Sequence, residues 1–234
     1  MQLFVFEWRI IMIAFIKRYS HAWIVLAYVC IYAPWFFYVE KHVTKNYHLI
    51  HMSLDDHIPF LEIFVIPYFL WFFYVSLTLL YFIFTNKRDY CRLCFFLFTG
   101  MTIFLIISTV FPNGHHLRPT VFPRDNIFTH LIASLYQTDT STNVFPSIHV
   151  YNSLGTHFAI MNSEKLVSKK WLRRGSFILC VSIILSTIFI KQHSVFDVIT
   201  GIIMAVIFYM IVYYFDFSAY LERNQKKVHP EHTI

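Results

Sequence analysis

The chain reads as an all-α polytopic membrane protein: a six-transmembrane-helix bundle with a short N-terminal interfacial helix. Three observations predict this. Hydrophobic residues make up 57% of the 234 residues, aromatics 20% and charged residues only 14%, and the mean hydropathy is +0.55, too apolar for a soluble domain. The apolar residues gather in runs near the length that crosses a bilayer, roughly 17 to 25 residues. Basic residues cluster in alternate connections between those runs, as the orientation rule for membrane helices requires.

Taken in order, residues 3–16 are apolar but carry Glu7 and Arg9 and are followed by Lys17 and Arg18, which suits a helix lying in the interface. A cleavable signal peptide is not expected, because those charges interrupt the first run and no small-residue cleavage site follows. Spans are then expected over 22–39, 58–84, 93–111, 144–161, 176–190 and 195–215. The fourth is the least hydrophobic and holds His149, Asn152, Ser153 and His157, so it should line a protein interior or wet cavity. This divides the chain into an interfacial segment at 1–20, a six-span domain at 21–217 and a tail at 218–234.

Lys87, Arg88 and Arg92 follow the second span, Lys165, Lys169, Lys170, Arg173 and Arg174 follow the fourth, and Arg223, Lys226 and Lys227 follow the sixth. With Arg9, Lys17 and Arg18 they fall on one side, which is assigned as cytoplasmic, with both termini inside. The loops over 40–57 and 112–143 and a tight turn at Gln192 are then extracytoplasmic, and the plasma membrane is the expected location. The net charge of +6 is explained by these flanks and implies no nucleic-acid partner. Cys30 and Cys180 lie in spans, and Cys91 and Cys94 form a lone CxxC without the second pair a zinc site needs. Asp55 and Asp56 read as a cap on the second span. The sequence carries no signal for an oligomeric state.

Three short pieces carry chemistry. Phe145-Pro146-Ser147-Ile148-His149 suits a helix start, since proline tolerates the first turn and serine can cap it. Lys191-Gln192-His193-Ser194-Val195-Phe196-Asp197 sets a histidine and an aspartate four residues apart, on one face of a helix. The carboxylate can then hold one imidazole nitrogen and leave the other as nucleophile or base. Asn113-Gly114-His115-His116-Leu117-Arg118-Pro119 offers a guanidinium whose parallel donors fit two phosphate oxygens. All three are expected on one side of the membrane.

In this order the pieces resemble the three sequence blocks of the type 2 phosphatidic acid phosphatase superfamily, over about residues 55 to 215. Departures from the family pattern are Phe111 where the first block has a lysine, Ile148 where the second has a glycine, and Thr187 where the third has an arginine, with Lys191 nearby as a substitute. They make the chain look most like the inositol phosphorylceramide synthase and sphingomyelin synthase branch, which Asp55-Asp56-His57-Ile58-Pro59 and Ile66-Pro67-Tyr68 before Trp71 also resemble.

The resemblance implies a membrane lipid phosphatase acting on lipid phosphate monoesters or diphosphates. His193 would be the nucleophile, forming a phosphohistidine, Asp197 would orient it, and His149 would be the general acid and base. Arg118, Ser147 and Lys191 would bind the phosphoryl oxygens, with His115 and His116 as further contacts. The scheme requires no metal or other cofactor; its partners are a lipid phosphate or phospholipid substrate and the bilayer. The alternatives are a headgroup phosphotransferase using the same histidines and a non-catalytic lipid-binding protein. A haem held between His149 and His193 is a further reading, open to a test by absorbance.

Overall fold

A computed structural model describes residues 17–43 and 46–215. The expected interfacial run over 3–16 and the tail over 218–234 lie outside the described residues. Those described form helices α1 (Trp23–His42), α2 (Val65–Thr85), α3 (Lys87–Val110), α4 (Ile127–Thr138), α5 (Ile148–Asn162), α6 (Lys170–Phe189) and α7 (Val195–Tyr209), the last continuing through a π-helical turn at Met210–Tyr214. Two short strands, β1 (His48–Leu49) and β2 (Asn113–Gly114), pair in parallel with His48 opposite Asn113.

Among the described residues, five helical stretches are long and apolar enough to cross a membrane: Ser20–His42, Glu62–Thr85, Lys87–Val110, Lys170–Phe189 and Val195–Tyr214. The fourth expected span becomes α5, whose 15 residues reach about 22 Å at 1.5 Å per residue, short of the roughly 30 Å hydrocarbon core. Its start is set by Ser147, whose Oγ accepts the Val150 amide at 3.4 Å. This helix packs against α2, α3, α6 and α7, so protein surrounds it. That matches its polar content.

Two other expectations change. Helix α3 begins at Lys87, not residue 93, because Asn86 Oδ1 caps it by accepting the Arg88 and Asp89 amides at 3.0 and 3.2 Å and the charged first turn becomes helical. The segment 112–143, read as loop, contains amphipathic α4. Asn126 caps it through the Phe128 and Thr129 amides, and Ile132 and Leu135 are buried against Val65, Tyr68 and Ile190.

The centre of the bundle is an interlock between α3 and α5. Phe96 and Tyr151 stack with ring centroids 4.6 Å apart, and each ring lies over a glycine of the other helix, Phe96 over Gly155 and Tyr151 over Gly100, where an added Cβ would collide. Both rings are fully buried, and truncating such a ring costs about 3–5 kcal/mol. Helix α1 is peripheral: it packs chiefly on α3, with Tyr28 stacked on Phe98 at 3.9 Å, and buries only Val39.

Polar contacts define two ends. At one, His21 meets the Ile83 carbonyl at 3.1 Å, Ser163 donates to Asp89 at 2.7 Å and Lys165 Nζ donates to the Thr85 carbonyl. At the other, Leu61 N–H reaches the Phe189 carbonyl at 3.1 Å, while Thr140 and Asn143 donate to Glu40 at 2.6 and 3.0 Å. The three sequence pieces all lie at this second end.

Candidate active site

His193 sits in the turn between α6 and α7, just before the helix and not within it. Ser194 caps α7 by accepting the Phe196 amide at 3.2 Å, and Asp197 Oδ2 reaches back to the Ser194 amide at 2.9 Å, a capping box. This cap, and not a shared helical face, brings Asp197 Oδ2 to 3.5 Å from His193 Nδ1. That is longer than an ordinary N–H···O hydrogen bond, and among the described residues neither His193 Nδ1 nor Asp197 Oδ1 has a hydrogen-bond partner. The turn itself wraps the end of α6: the amides of Gln192 and His193 both donate to the Thr187 carbonyl, at 2.9 and 3.0 Å. Lys191 takes a left-handed φ of 53°, uncommon for a residue with a side chain. Two bonds hold it there, from Nζ to the carbonyls of Asp55 at 2.8 Å and Ile58 at 2.6 Å.

Asp55 was expected to cap the second span. It caps α7 instead, since α2 starts only at Val65. Its buried carboxylate accepts Ser194 Oγ at 2.6 Å, the Val195 amide at 2.8 Å and the Met52 amide at 2.8 Å. With its carbonyl on Lys191, this one residue brackets the His193 turn on both sides.

His149 enters from the first turn of α5. Its Nδ1 lies 3.4 Å from His193 Nε2, and its ring rests against Trp71 and Tyr68 at centroid distances of 4.4 and 4.7 Å. Ser147 is fully buried beside it, with its amide donating to the Asp197 carbonyl at 3.2 Å, so the start of α5 is tied to α7. The approach is close enough that a Cβ at Gly201 would lie 2.9 Å from the Ser147 carbonyl oxygen.

Arg118 comes to the same end but spends its fork on the protein. It donates to the carbonyls of Tyr136, Asp139 and Thr140 at 3.1, 2.7 and 2.8 Å and to Gln192 Oε1, and it lies over the Tyr136 ring at 4.3 Å. Burial lowers its pKa, opposed by Asp139. Its Nε and the Trp71 Nε1 are buried without a hydrogen-bond partner among the described residues. Asp139 links the two sides by accepting Tyr68 Oη at 2.6 Å and Gln192 Nε2 at 3.2 Å.

His115 is buried, with Nε2 donating to the Gln192 carbonyl at 2.8 Å and Nδ1 accepting the Leu117 amide at 3.1 Å. Both ring nitrogens are therefore occupied, and burial pushes its pKa down to about 3, so the ring is neutral. His116 is exposed and, with Lys191, His51, Asp56 and Leu117, lines a cleft of 340 Å³. Burial lowers the Lys191 pKa, opposed by Asp55 and Asp56.

His149, His193, Asp197, Ser147, Arg118 and Lys191 thus share one end of the bundle, and the two histidines touch. Sequence reading missed Asp55, Tyr68, Trp71, Asp139 and Gln192. For Asp55, Tyr68 and Trp71 the available signal was their place in the stretch that resembles the synthase branch.

Neither curated proteins nor solved structures give a match to the chain. The family model for the PAP2 superfamily matches residues 117–220. Over that segment, just under half the chain and containing every candidate residue from Arg118 to Asp197, the chain is similar to the type 2 phosphatidic acid phosphatase superfamily.

Proposed function

We propose that the chain is a membrane lipid phosphatase that hydrolyses lipid phosphate monoesters or diphosphates through a phosphohistidine, at the extracytoplasmic face of the plasma membrane. The family match supports phosphatase-type chemistry on phosphate esters. The observation that carries the reading is the contact of His193 Nε2 with His149 Nδ1 at 3.4 Å, with the Asp197 carboxylate behind the far nitrogen of His193.

Asp197 favours the tautomer with the proton on Nδ1, which leaves the Nε2 lone pair to attack phosphorus. A new N–P bond forms as the ester P–O bond breaks, and His149, protonated when the substrate's negative charge enters beside it, gives that proton to the departing alkoxide. His149 then takes a proton from water, whose oxygen attacks phosphorus and releases His193 and phosphate. A phosphoryl group does not fit between nitrogens 3.4 Å apart, so substrate parts the two rings and takes the place of their mutual contact.

Negative charge on the transferring group is met by Arg118, Lys191 and the Ser147 hydroxyl. The unpartnered donors Arg118 Nε and Trp71 Nε1 add to this. His115, with both nitrogens occupied, acts through the loop it holds, whereas exposed His116 shares the cleft with Lys191.

That polar cleft is also the observation favouring the second reading, headgroup phosphotransfer, because it offers room for a hydroxylated acceptor beside the turn. One assay separates them. Detergent-solubilised lipid phosphates and phospholipids are supplied with and without an alcohol-bearing lipid, and the native chain is compared with His193→Ala and His149→Ala. Free phosphate, lost on the order of 10⁴-fold in His193→Ala and about 10² to 10⁴-fold in His149→Ala, marks the phosphatase. An acceptor-dependent lipid product marks the transferase. Equal traces from all three proteins overturn both readings in favour of non-catalytic lipid binding.

A further inference from the structure

The crevice between the C-terminal half of α5 and the first turns of α6 lies at the end of the bundle away from the histidines. It encloses 460 Å³. Its walls include Met161, Phe177 and Ile178, its rim is Lys170, Arg173 and Arg174, and among the described residues no acidic side chain lines it. Arg173 serves the fold: it donates to Met161 Sδ at 3.3 Å and to the carbonyls of Val167 and Met161 at 3.3 and 3.5 Å. Lys170 and Arg174 are exposed at its mouth. Arg174 leans on the Trp171 ring at 5.8 Å, and that indole is 83% exposed, as aromatic side chains at the level of lipid headgroups are.

We propose that this crevice binds one anionic phospholipid, its acyl chain along Phe177, Ile178 and Met161 and its phosphate between Lys170 and Arg174. Apolar walls under a cationic rim match an amphiphile whose charge is negative and whose tail is hydrocarbon. An acidic peptide or a nucleic acid would satisfy the rim and leave the walls wet. Lys165 and Lys169, exposed in the connection that leads into α6, add positive charge at this end of the bundle and raise the local concentration of anionic lipid.

The test is native mass spectrometry of the full chain released from mixed micelles of phosphatidylserine and phosphatidylcholine. Neither lipid is a phosphate monoester, so retention is read independently of the proposed reaction. We expect preferential retention of one phosphatidylserine. The preference should fall on the order of fivefold for each charge removed in Lys170→Gln and Arg174→Gln. Ile178→Trp, which fills the crevice and keeps the charges, should abolish it, while His193→Ala should leave it intact. Three results would overturn the proposal: a preference that survives Ile178→Trp; one that vanishes in the native chain between about 0.15 and 0.5 M salt, as diffuse surface attraction does; or displacement of the lipid by millimolar inorganic phosphate, which marks a simple anion site.

Discussion

His193 and His149 touch each other but are held by different physics. His193 belongs to a turn pinned by hydrogen bonds from four parts of the chain: Asp55 on Ser194, Val195 and Lys191, Thr187 on two amides, His115 on the Gln192 carbonyl, and Asp197 across the cap. His149 rests among aromatic faces on a helix held by packing. Hydrogen bonds fix direction as well as distance, whereas ring contacts fix mainly position. In the proposed mechanism the backbone that carries the nucleophile is thus set rigidly, while the imidazoles of His193 and His149 keep freedom to turn as substrate enters between them.

The largest expected effect comes from Asp55→Ala, which strands three donors that now meet one carboxylate. At about 1–3 kcal/mol for each unmet buried group, unfolding in detergent should shift by several kcal/mol, with kcat falling more than KM. Asp55→Asn should recover part of the stability. A stable, fully active Asp55→Ala protein would remove the polar side of the comparison. Next is pH. His115 stays neutral in the fold with a pKa of about 3 against an ordinary 6.5, so below pH 6.5 the unfolded chain binds a proton that the folded chain refuses. Stability should therefore fall as pH drops from 6.5 toward 3, by up to about 1.4 kcal/mol per unit. Comparison of unfolding curves with His115→Gln isolates this share.

Gly201→Val tests the seat of His149, because the added atoms press on the Ser147 carbonyl. A loss of about 1–3 kcal/mol is expected, read as a lower melting temperature. Tyr68→Phe should matter least. It removes the bond to Asp139 at 2.6 Å and keeps the ring on His149, so about 1–2 kcal/mol should go while the pH profile of turnover stays unchanged. A shifted profile would mean that His149 too is governed by hydrogen bonding.

What was readable in the sequence follows this divide. The pairing of His193 with Asp197 and the cap at Ser147 are local, set by spacing within a few residues, and both were legible, although the capping box and not a helical face joins the pair. Asp55 meets Ser194 across 139 residues of chain, and no local pattern signals that. Arg118 was read as a phosphate fork at the membrane surface, but its partners are three backbone carbonyls and Gln192, which a sequence does not signal. Helix α4 was hidden because Pro119 and Pro123 dominate its approach and its apolar stripe is short. The protein surroundings of α5 were legible in its polar residues, but its length was not, because Ser147 and Asn162 bound a helix of 15 residues within a longer apolar run.

The reach of Asp55 also bears on synthesis. Its carboxylate leaves the ribosome 139 residues before Ser194, and at about 5–20 residues per second that is roughly 7 to 28 s before the first atom it caps exists. The histidine turn is therefore completed well after Asp55 has been made, and a nascent chain stopped before α7 has neither the turn nor a partner for the aspartate already waiting for it.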